Sequence, residues 1–510
     1  MFQRPFDAVR GLLVMAACAT LAATCSSSKS STGGSGGAPA GGSGGAGAGT
    51  GGMVSSSGGA TSPGSGGASA SGGTTVPSSG GAIGSGNASS GGTGTGGTIA
   101  GSGGVTGPGG HPGGRGGAAG APGGSGGGGA SGSGWSSAFP TFTKHTIASF
   151  SSGYMTVVAD VDHDGMPDVV ALSSGADGLV WFKNPSWKKY TVTTTAKNLI
   201  YCAPYDIDGD GDLDLAVASD FSMTDTTGGG TVSWAENPAD PTQSQSWTLH
   251  PIGAVPTSHR LRWGDIDGDG KKELIDLPIF GEGSTAPAYA GAVKLTAFFI
   301  PASPKDASAT WTSQVLDSKH LEVAHGIQIV DWDGDKAEDI LTAANDGVDL
   351  FRPAMSASYQ SLNPGAAGTA PTRGSSEVGL GSLAGARFIA TIDPWHGTDA
   401  VIYTPGAAAT DPWMRLDLGA DFEHGHGLAV VDLNGDGYDE VVGGGGQGMM
   451  TQMIYRYVPS KGTWDKIPLD MGGVAVSGID VKDLNGDGAP DIVSIGTSPT
   501  NNVVWYQNMR

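Results

Sequence analysis

The chain has 510 residues, of which 92 are glycine and only 7% aromatic, so part of it holds too little apolar surface to form a core. Its net charge of −22, from 48 acidic against 26 basic residues, argues against a nucleic-acid partner. With three cysteines it is no disulfide scaffold.

Residues 1–25 open the chain as an export signal: Arg4 and Arg10 flank a short apolar run that ends in small residues and a cysteine. The pattern resembles a bacterial lipoprotein signal. Cys25, where a Ser-rich stretch begins, is the predicted lipidated residue, with Cys18 as the rival and plain secretion as the alternative. The chain is thus expected at the cell surface or outer membrane, touching the bilayer only through the lipid; no other apolar run is long enough to span it. Residues 26–135, nearly all Gly, Ser, Ala and Thr, predict a disordered linker. Residues 136–510 remain for one large domain, in which Cys202 is alone and can form no internal disulfide.

Within that domain an acidic loop recurs with a period of roughly fifty residues, the mark of a solenoid or propeller. Its copies are "DVDHDGMPD" (160–168), "DIDGDGDLD" (206–214), "DIDGDGKKE" (265–273), "DWDGDKAED" (331–339), "DLNGDGYDE" (432–440) and "DLNGDGAPD" (483–491). A seventh, "DPWHGTDAV" (393–401), sits in the long gap and reads as a degenerate copy. Positions 1, 3, 5 and 9 supply alternating oxygen ligands around a glycine turn, as Ca²⁺ requires. The predicted ligands are Asp160, Asp162, Asp164 and Asp168; Asp206, Asp208, Asp210 and Asp214; Asp265, Asp267, Asp269 and Glu273; Asp331, Asp333, Asp335 and Asp339; Asp432, Asn434, Asp436 and Glu440; and Asp483, Asn485, Asp487 and Asp491. Up to six structural Ca²⁺ would offset about half of the negative charge and brace an exported, cysteine-poor fold.

Around each loop the same strands return. One enters ("MTVVAD", "IQIVD"), one leaves ("DVVAL", "DIVSIG"), and a third carries aromatics ("GLVWFKNP", "GTVSWAENP", "NVVWYQN"). A fourth places Trp five residues before an aliphatic, as in Trp187/Val192, Trp247/Ile252, Trp311/Leu316, Trp413/Leu418 and Trp464/Leu469. Four short strands repeated seven times predict an all-β, seven-bladed propeller. The last unit stops after its third strand, and Phe142/Ile147 reproduces the Trp-to-aliphatic spacing, so the N-terminal strand should complete that blade. Blade four has no matching Trp in residues 354–385.

In a propeller the strand entering the loop lines the central channel, so like positions on all blades form a ring. Six residues before each loop stand Tyr154, Ile200, His259, His325, Arg387, His426 and Ser477, with Tyr201, Arg260 and His424 close by and Glu322 and Glu423 three before their histidines. This set predicts a polar pocket at one channel mouth. Three imidazoles suit Zn²⁺, or plain hydrogen bonds between blades. Trp263 and Trp395 are candidate stacking platforms for a sugar ring.

The six loops resemble the FG-GAP/VCBS repeat family, also found in integrin α-chain heads, over about residues 139–508. That implies a Ca²⁺-loop propeller but spans adhesion modules and enzymes. The segment "HRLRWGDIDGDGKKELIDLPIFG" (259–281) and the His-Gly pairs at 325 and 426 resemble the propeller of aldos-2-ulose dehydratases, and the chemistry is similar to that of propeller polysaccharide lyases. These resemblances imply a carbohydrate ligand and β-elimination, with His259, His325 and His426 as base or metal ligands, Tyr154 as acid, and Arg260 or Arg387 binding an anion. In the dehydratases a cupin-like domain follows the propeller, whereas this sequence stops with the closing blade. The alternative expectation is a non-catalytic adhesion or scaffold module; a monomer is expected in either case.

Overall fold

In a computed structural model the described residues are 139–510, save Ala176, Gln245 and Ser356. The export signal with Cys18 and Cys25 and the 26–135 linker fall outside them.

The described residues form seven four-stranded antiparallel sheets and no helix. Every sheet but the last follows chain order from the channel outward. The inner strands are Gly153–Ala159, Tyr201–Tyr205, Ser258–Gly264, Ala324–Val330, Val378–Leu383, Gly425–Val431 and Val476–Lys482. Each touches the next, and the seventh touches the first, so the sheets close into a ring. The outermost strand of blade seven is Phe142–Ser149, paired with Asn502–Asn508, which is the predicted closure.

The sheets cannot bury both faces alone, so the core lies in the seams between blades. Met155, Val170 and Trp181 of blade one pack on Cys202, Leu215, Val217 and Trp247 of blade two, and equivalent clusters fill the other seams. Close approach excludes side chains at some seam positions: a Cβ on Gly326 would lie 2.5 Å from the carbonyl oxygen of Ser376.

Blade four has its fourth strand, Ser358–Asn363. Ala357 takes the Trp position with the same left-handed backbone (φ 53°, against 55° at Trp187), and Leu362 takes the aliphatic one. The amide of Trp413 donates to Leu362 O at 2.8 Å, as that of Trp247 does to Val192 O. The seam keeps the aliphatic residue and dispenses with the indole.

Blade five corrects the sequence reading. Its first two strands, Val378–Leu383 and Ala386–Asp393, meet in a two-residue turn, Ala384–Gly385, where other blades carry the acidic loop. The segment read as a degenerate seventh loop joins the second strand to the third, Asp399–Thr404, at the opposite end of the blade. Counting six back from Asp393 therefore lands on the second strand. Arg387 is exposed there, with its guanidinium 5.0 Å from the Trp332 ring, and is not a member of the inner ring.

Third-strand asparagines tie blades together. Asn237 Nδ2 donates to Val161 O in the loop of blade one (2.9 Å) and to Leu213 O in its own (3.1 Å). Asn184 and Asn508 repeat the arrangement toward Leu484 O and Leu433 O. Each is nearly fully buried, so these amides satisfy carbonyls that water cannot reach.

Candidate functional site

The ring residues share a backbone device. Pairing of inner strand to second strand slips at Tyr154, His259, His325, His426 and Ser477, each skipped in the register. Two residues earlier, Ser152, Thr257, Val323 and His424 have φ between 48° and 60°. A bulge leaves its extra residue unpaired and re-aims the side chain, here inward. In blade five Glu377 holds the equivalent point, between Ser376, whose amide bonds to Ile392 O, and Val378, paired with Thr391. The blade-two member, Ile200, is apolar and packs in a seam.

The predicted histidines converge. Ring centroids lie 4.8 Å apart for His259–His325 and 4.8 Å for His325–His426. Tyr154 Oη is 2.8 Å from His259 Nε2 and 3.3 Å from His426 Nε2. Arg260 donates toward His259 Nε2 (3.3 Å), His325 Nε2 (3.1 Å) and Glu377 Oε1 (3.1 Å). Glu377 Oε1 is also 2.8 Å from His325 Nδ1. The carboxylate thus fixes the His325 tautomer, with Nδ1 the donor and Nε2 the acceptor that faces Arg260. His426 is fixed likewise, Nδ1 donating to Ser477 O at 2.7 Å.

Two members escaped the sequence reading. Glu377 has no acidic loop after it to mark its position, although the alternating glycines of "SEVGLGSL" do announce an inner strand. His396 lies in the segment 393–401 that reads as a degenerate loop. It reaches the ring from the other strand end, 4.5 Å from His325, 4.5 Å from His424 and 5.1 Å from His426 between centroids. One donor atom each from His325, His396 and His426 fall within 4.8 Å of one another. Both nitrogens of His396 are buried without a hydrogen-bond partner among the described residues. An unsatisfied imidazole in such a place is costly to fold unless something binds it.

The electrostatics suit lone-pair donors. Burial holds His259, His325 and His396 well below the ordinary imidazole value, His424 at about 4 and His426 at about 3, with the Arg260 charge adding to the effect on His259, His325 and His426. All are neutral at pH 7, the form a metal or a proton acceptor needs. Burial also works against the Arg260 charge, but Glu377, Tyr154 and Tyr201 outweigh it. The donor set, its fixed tautomers and the orphaned His396 fit a divalent metal such as Zn²⁺. Trp395 is 3% exposed and stacks on His396, while Trp263 is 2% exposed and donates to Ala203 O, so neither offers a face to a sugar.

At the other mouth each acidic loop winds on its first Asp. Asp160 accepts from the amides of Asp164 and Gly165, and Asp483 from Gly486, Asp487 and Gly488. Carboxylates at positions 1, 3 and 5 gather within 4.8 Å in blades two, three and four, and at 1, 3 and 9 in blade one. The position-9 acids are buried and already accept a backbone N–H from position 2, at 3.0 Å for Asp168 and 2.9 Å for Glu440. Burial raises Asp168, Asp214, Glu273 and Asp339 to about 7, Glu440 to about 8 and Asp491 to about 6.

The fold is that of a seven-bladed propeller, and residues 160–217 and 432–494 match the family model of FG-GAP-like repeats. Between them, residues 229–405 match the β-propeller domain of aldos-2-ulose dehydratase, the stretch that holds His259, Arg260, His325, Glu377 and His396. A curated relative, the aldos-2-ulose dehydratase of Phanerodontia chrysosporium, is 29% identical over 261 residues, 46% of this chain. The match spans 28% of that enzyme's length. Among solved structures, an Agrocybe aegerita lectin that recognises non-reducing terminal N-acetylglucosamine aligns with TM-score 0.41 and 13% identity, over 71% of this chain and 86% of its own. The Vibrio cholerae biofilm matrix protein Bap1 aligns at 0.40 and 11%, over 72% and 91%. Likeness at that level carries no further argument.

Proposed function

We propose that the chain is an exported propeller, lipid-anchored through Cys25, that binds a carbohydrate at the His/Tyr/Arg ring and acts on it by β-elimination. The observation that carries the reading is the orphaned His396, buried against His325 and His426 beside a Tyr154–His259 pair. His325, His396 and His426 would hold Zn²⁺, which when bound polarises a substrate oxygen. His259, neutral through burial, takes the proton next to the carbonyl or carboxylate of the sugar. Tyr154, within hydrogen-bond reach of that imidazole, returns a proton to the departing oxygen. Arg260, charged against Glu377, steadies the negative charge that develops between these steps. Tyr154, Glu377 and His424 are the partly exposed members, so a sugar approaches on their side. The similarity to an aldos-2-ulose dehydratase propeller supports a sugar-related role.

The acidic loops are proposed to hold structural Ca²⁺, supported by carboxylates that converge around glycine turns. Excess EDTA should then lower the melting temperature, and an unchanged melt would remove the calcium reading.

The functional test has two arms. Metal analysis after dialysis should find one Zn²⁺ lost in His396→Ala, and uronate polysaccharides or ketoses should develop absorbance near ~235 nm as the acid–base step yields a conjugated product. A second reading, a non-catalytic adhesion or scaffold module, is favoured by the hydrogen bonds that the ring makes within itself, Arg260 engaging His259, His325 and Glu377. Absence of metal, sugar binding and turnover would select it.

A further inference from the structure

Between the ring and the acidic loops the channel holds a cavity of about 750 Å³, and none of the ring residues forms its wall. That volume is within the usual range of small-molecule sites. Like positions meet here as they do in the ring. Three positions beyond each ring residue, every inner strand puts one side chain on the cavity wall. Four blades carry Val, Ala or Leu there, and Ala203 and Ala429 leave room. Blades three, four and seven carry Arg262, Gln328 and Asp480.

These three are not equally engaged. Both oxygens of Asp480 accept backbone amides, Oδ2 from Val158 at 2.7 Å and Oδ1 from Val481 at 2.8 Å. Gln328 Oε1 accepts the amide of Leu380 in blade five at 2.6 Å, and its Nε2 has no partner among the described residues. Arg262 Nη1 donates to Tyr201 Oη and to Leu261 O (2.9 Å), with the guanidinium 4.9 Å from the Tyr201 ring. Its Nε and Nη2 have no partner among the described residues, and no carboxylate lies within ion-pair distance of it. Arg260, two residues earlier, has Glu377. A half-buried cation without a counter-charge is costly unless something binds it.

We infer that Arg262, Gln328 and Tyr201 form a binding site for a monocarboxylate in the channel, distinct from the histidine ring. A carboxylate offers the guanidinium fork two oxygens in the geometry of its strongest hydrogen bonds. The Gln328 amide supplies a further donor, and Tyr201, whose oxygen accepts from Arg262, keeps its own proton to donate. Arg262 is the one cation at this level and Asp480 is committed to the backbone, so the site balances a single negative charge. Aliphatic walls, Met155, Ile327 and Leu428 among them, admit an apolar body, while the backbone of Gly379 and Gly381 suits a hydroxylated one. The carboxylate can thus belong to a fatty acid or to a sugar acid. The site needs neither metal nor turnover, so it stands apart from the reading of the ring.

The test titrates the full chain in a calorimeter with octanoate and, separately, with glucuronate. At least one should saturate at one molecule per chain, and the tighter of the two tells the fatty from the sugar source. Arg262→Met should weaken that binding by roughly 10–100-fold, as expected for losing charge-assisted hydrogen bonds. Gln328→Glu, isosteric and able to keep the Leu380 contact, sets a second carboxylate beside the ligand and should weaken it as well; it decides the matter alone if Arg262→Met does not fold. His396→Ala should leave this binding unchanged. Saturation by neither acid, or equal affinity in the wild type and the channel variants, would overturn the inference. So would inorganic phosphate bound as tightly as the acid. A loss in His396→Ala with none in the channel variants would put the carboxylate on the ring and equally refute a channel site.

Discussion

Asp276 lies beneath the candidate site and is 0% exposed, with Ser258 Oγ donating to its Oδ2 at 2.7 Å and no partner for Oδ1 among the described residues. Burial raises its carboxyl from 3.8 to about 7, the Ser258 hydrogen bond opposing the shift. The folded protein therefore keeps a proton there that the unfolded chain has lost, and stability falls as pH rises between about 4 and 7, levelling off above. From pH 5.5 to 7 the interval is about one and a half units, and at ~1.4 kcal/mol per unit the loss is about 2 kcal/mol. Asp276→Asn copies the protonated acid, keeps an acceptor for Ser258, and has nothing to titrate. Urea unfolding of both proteins, at pH 5.5 and 8.5 in saturating Ca²⁺, isolates this carboxyl as the difference between two differences. The variant should gain about 2 kcal/mol on the wild type across that range. Parallel pH dependence of the two proteins would refute a buried, protonated Asp276.

Asn237→Ala strips a donor from the buried carbonyls of Val161 and Leu213. It should cost roughly 2–6 kcal/mol in denaturant unfolding, at about 1–3 kcal/mol for each of the two buried groups left unsatisfied; a loss below about 0.5 kcal/mol would show that the amide is no clamp. Glu377→Gln leaves the His325 imidazole without its carboxylate, and Zn²⁺ competition against a chelating dye should show about 10–100-fold weaker binding. The same change removes the carboxylate beside buried Arg260 and should cost about 3 kcal/mol of stability. Arg387→Ala, at the rim beside Trp332, should leave metal and sugar binding unchanged and cost at most about 1 kcal/mol; lost sugar binding would restore it to the site.

The seven-fold plan was legible because Ca²⁺-type loops and Trp-to-aliphatic pairs are local patterns that repeat in register. The convergence of His259, His325 and His426 followed from that plan, since like positions on inner strands meet at one height. Blade five was misread because its first turn, Ala384–Gly385, has shed the acidic loop. The count then ran from Asp393, which resembles a loop start but lies at the ring end of the blade, and Arg387 replaced Glu377. His396 was missed for the complementary reason: it enters the ring from a connection between second and third strands, a position with no counterpart in the repeat. Ala357 in the Trp position of blade four shows the same limit, because a seam asks for the Leu362 contact and tolerates loss of the indole.

The pairing of Phe142–Ser149 with Asn502–Asn508 sets an order of events during synthesis. The first strand of the wheel to leave the ribosome must wait, its hydrogen bonds unmade, until the last few dozen residues follow. Until then blade seven is incomplete and the circle is an open horseshoe with two exposed rims. A chain shortened by its final eight residues would keep every histidine of the ring and yet never lock.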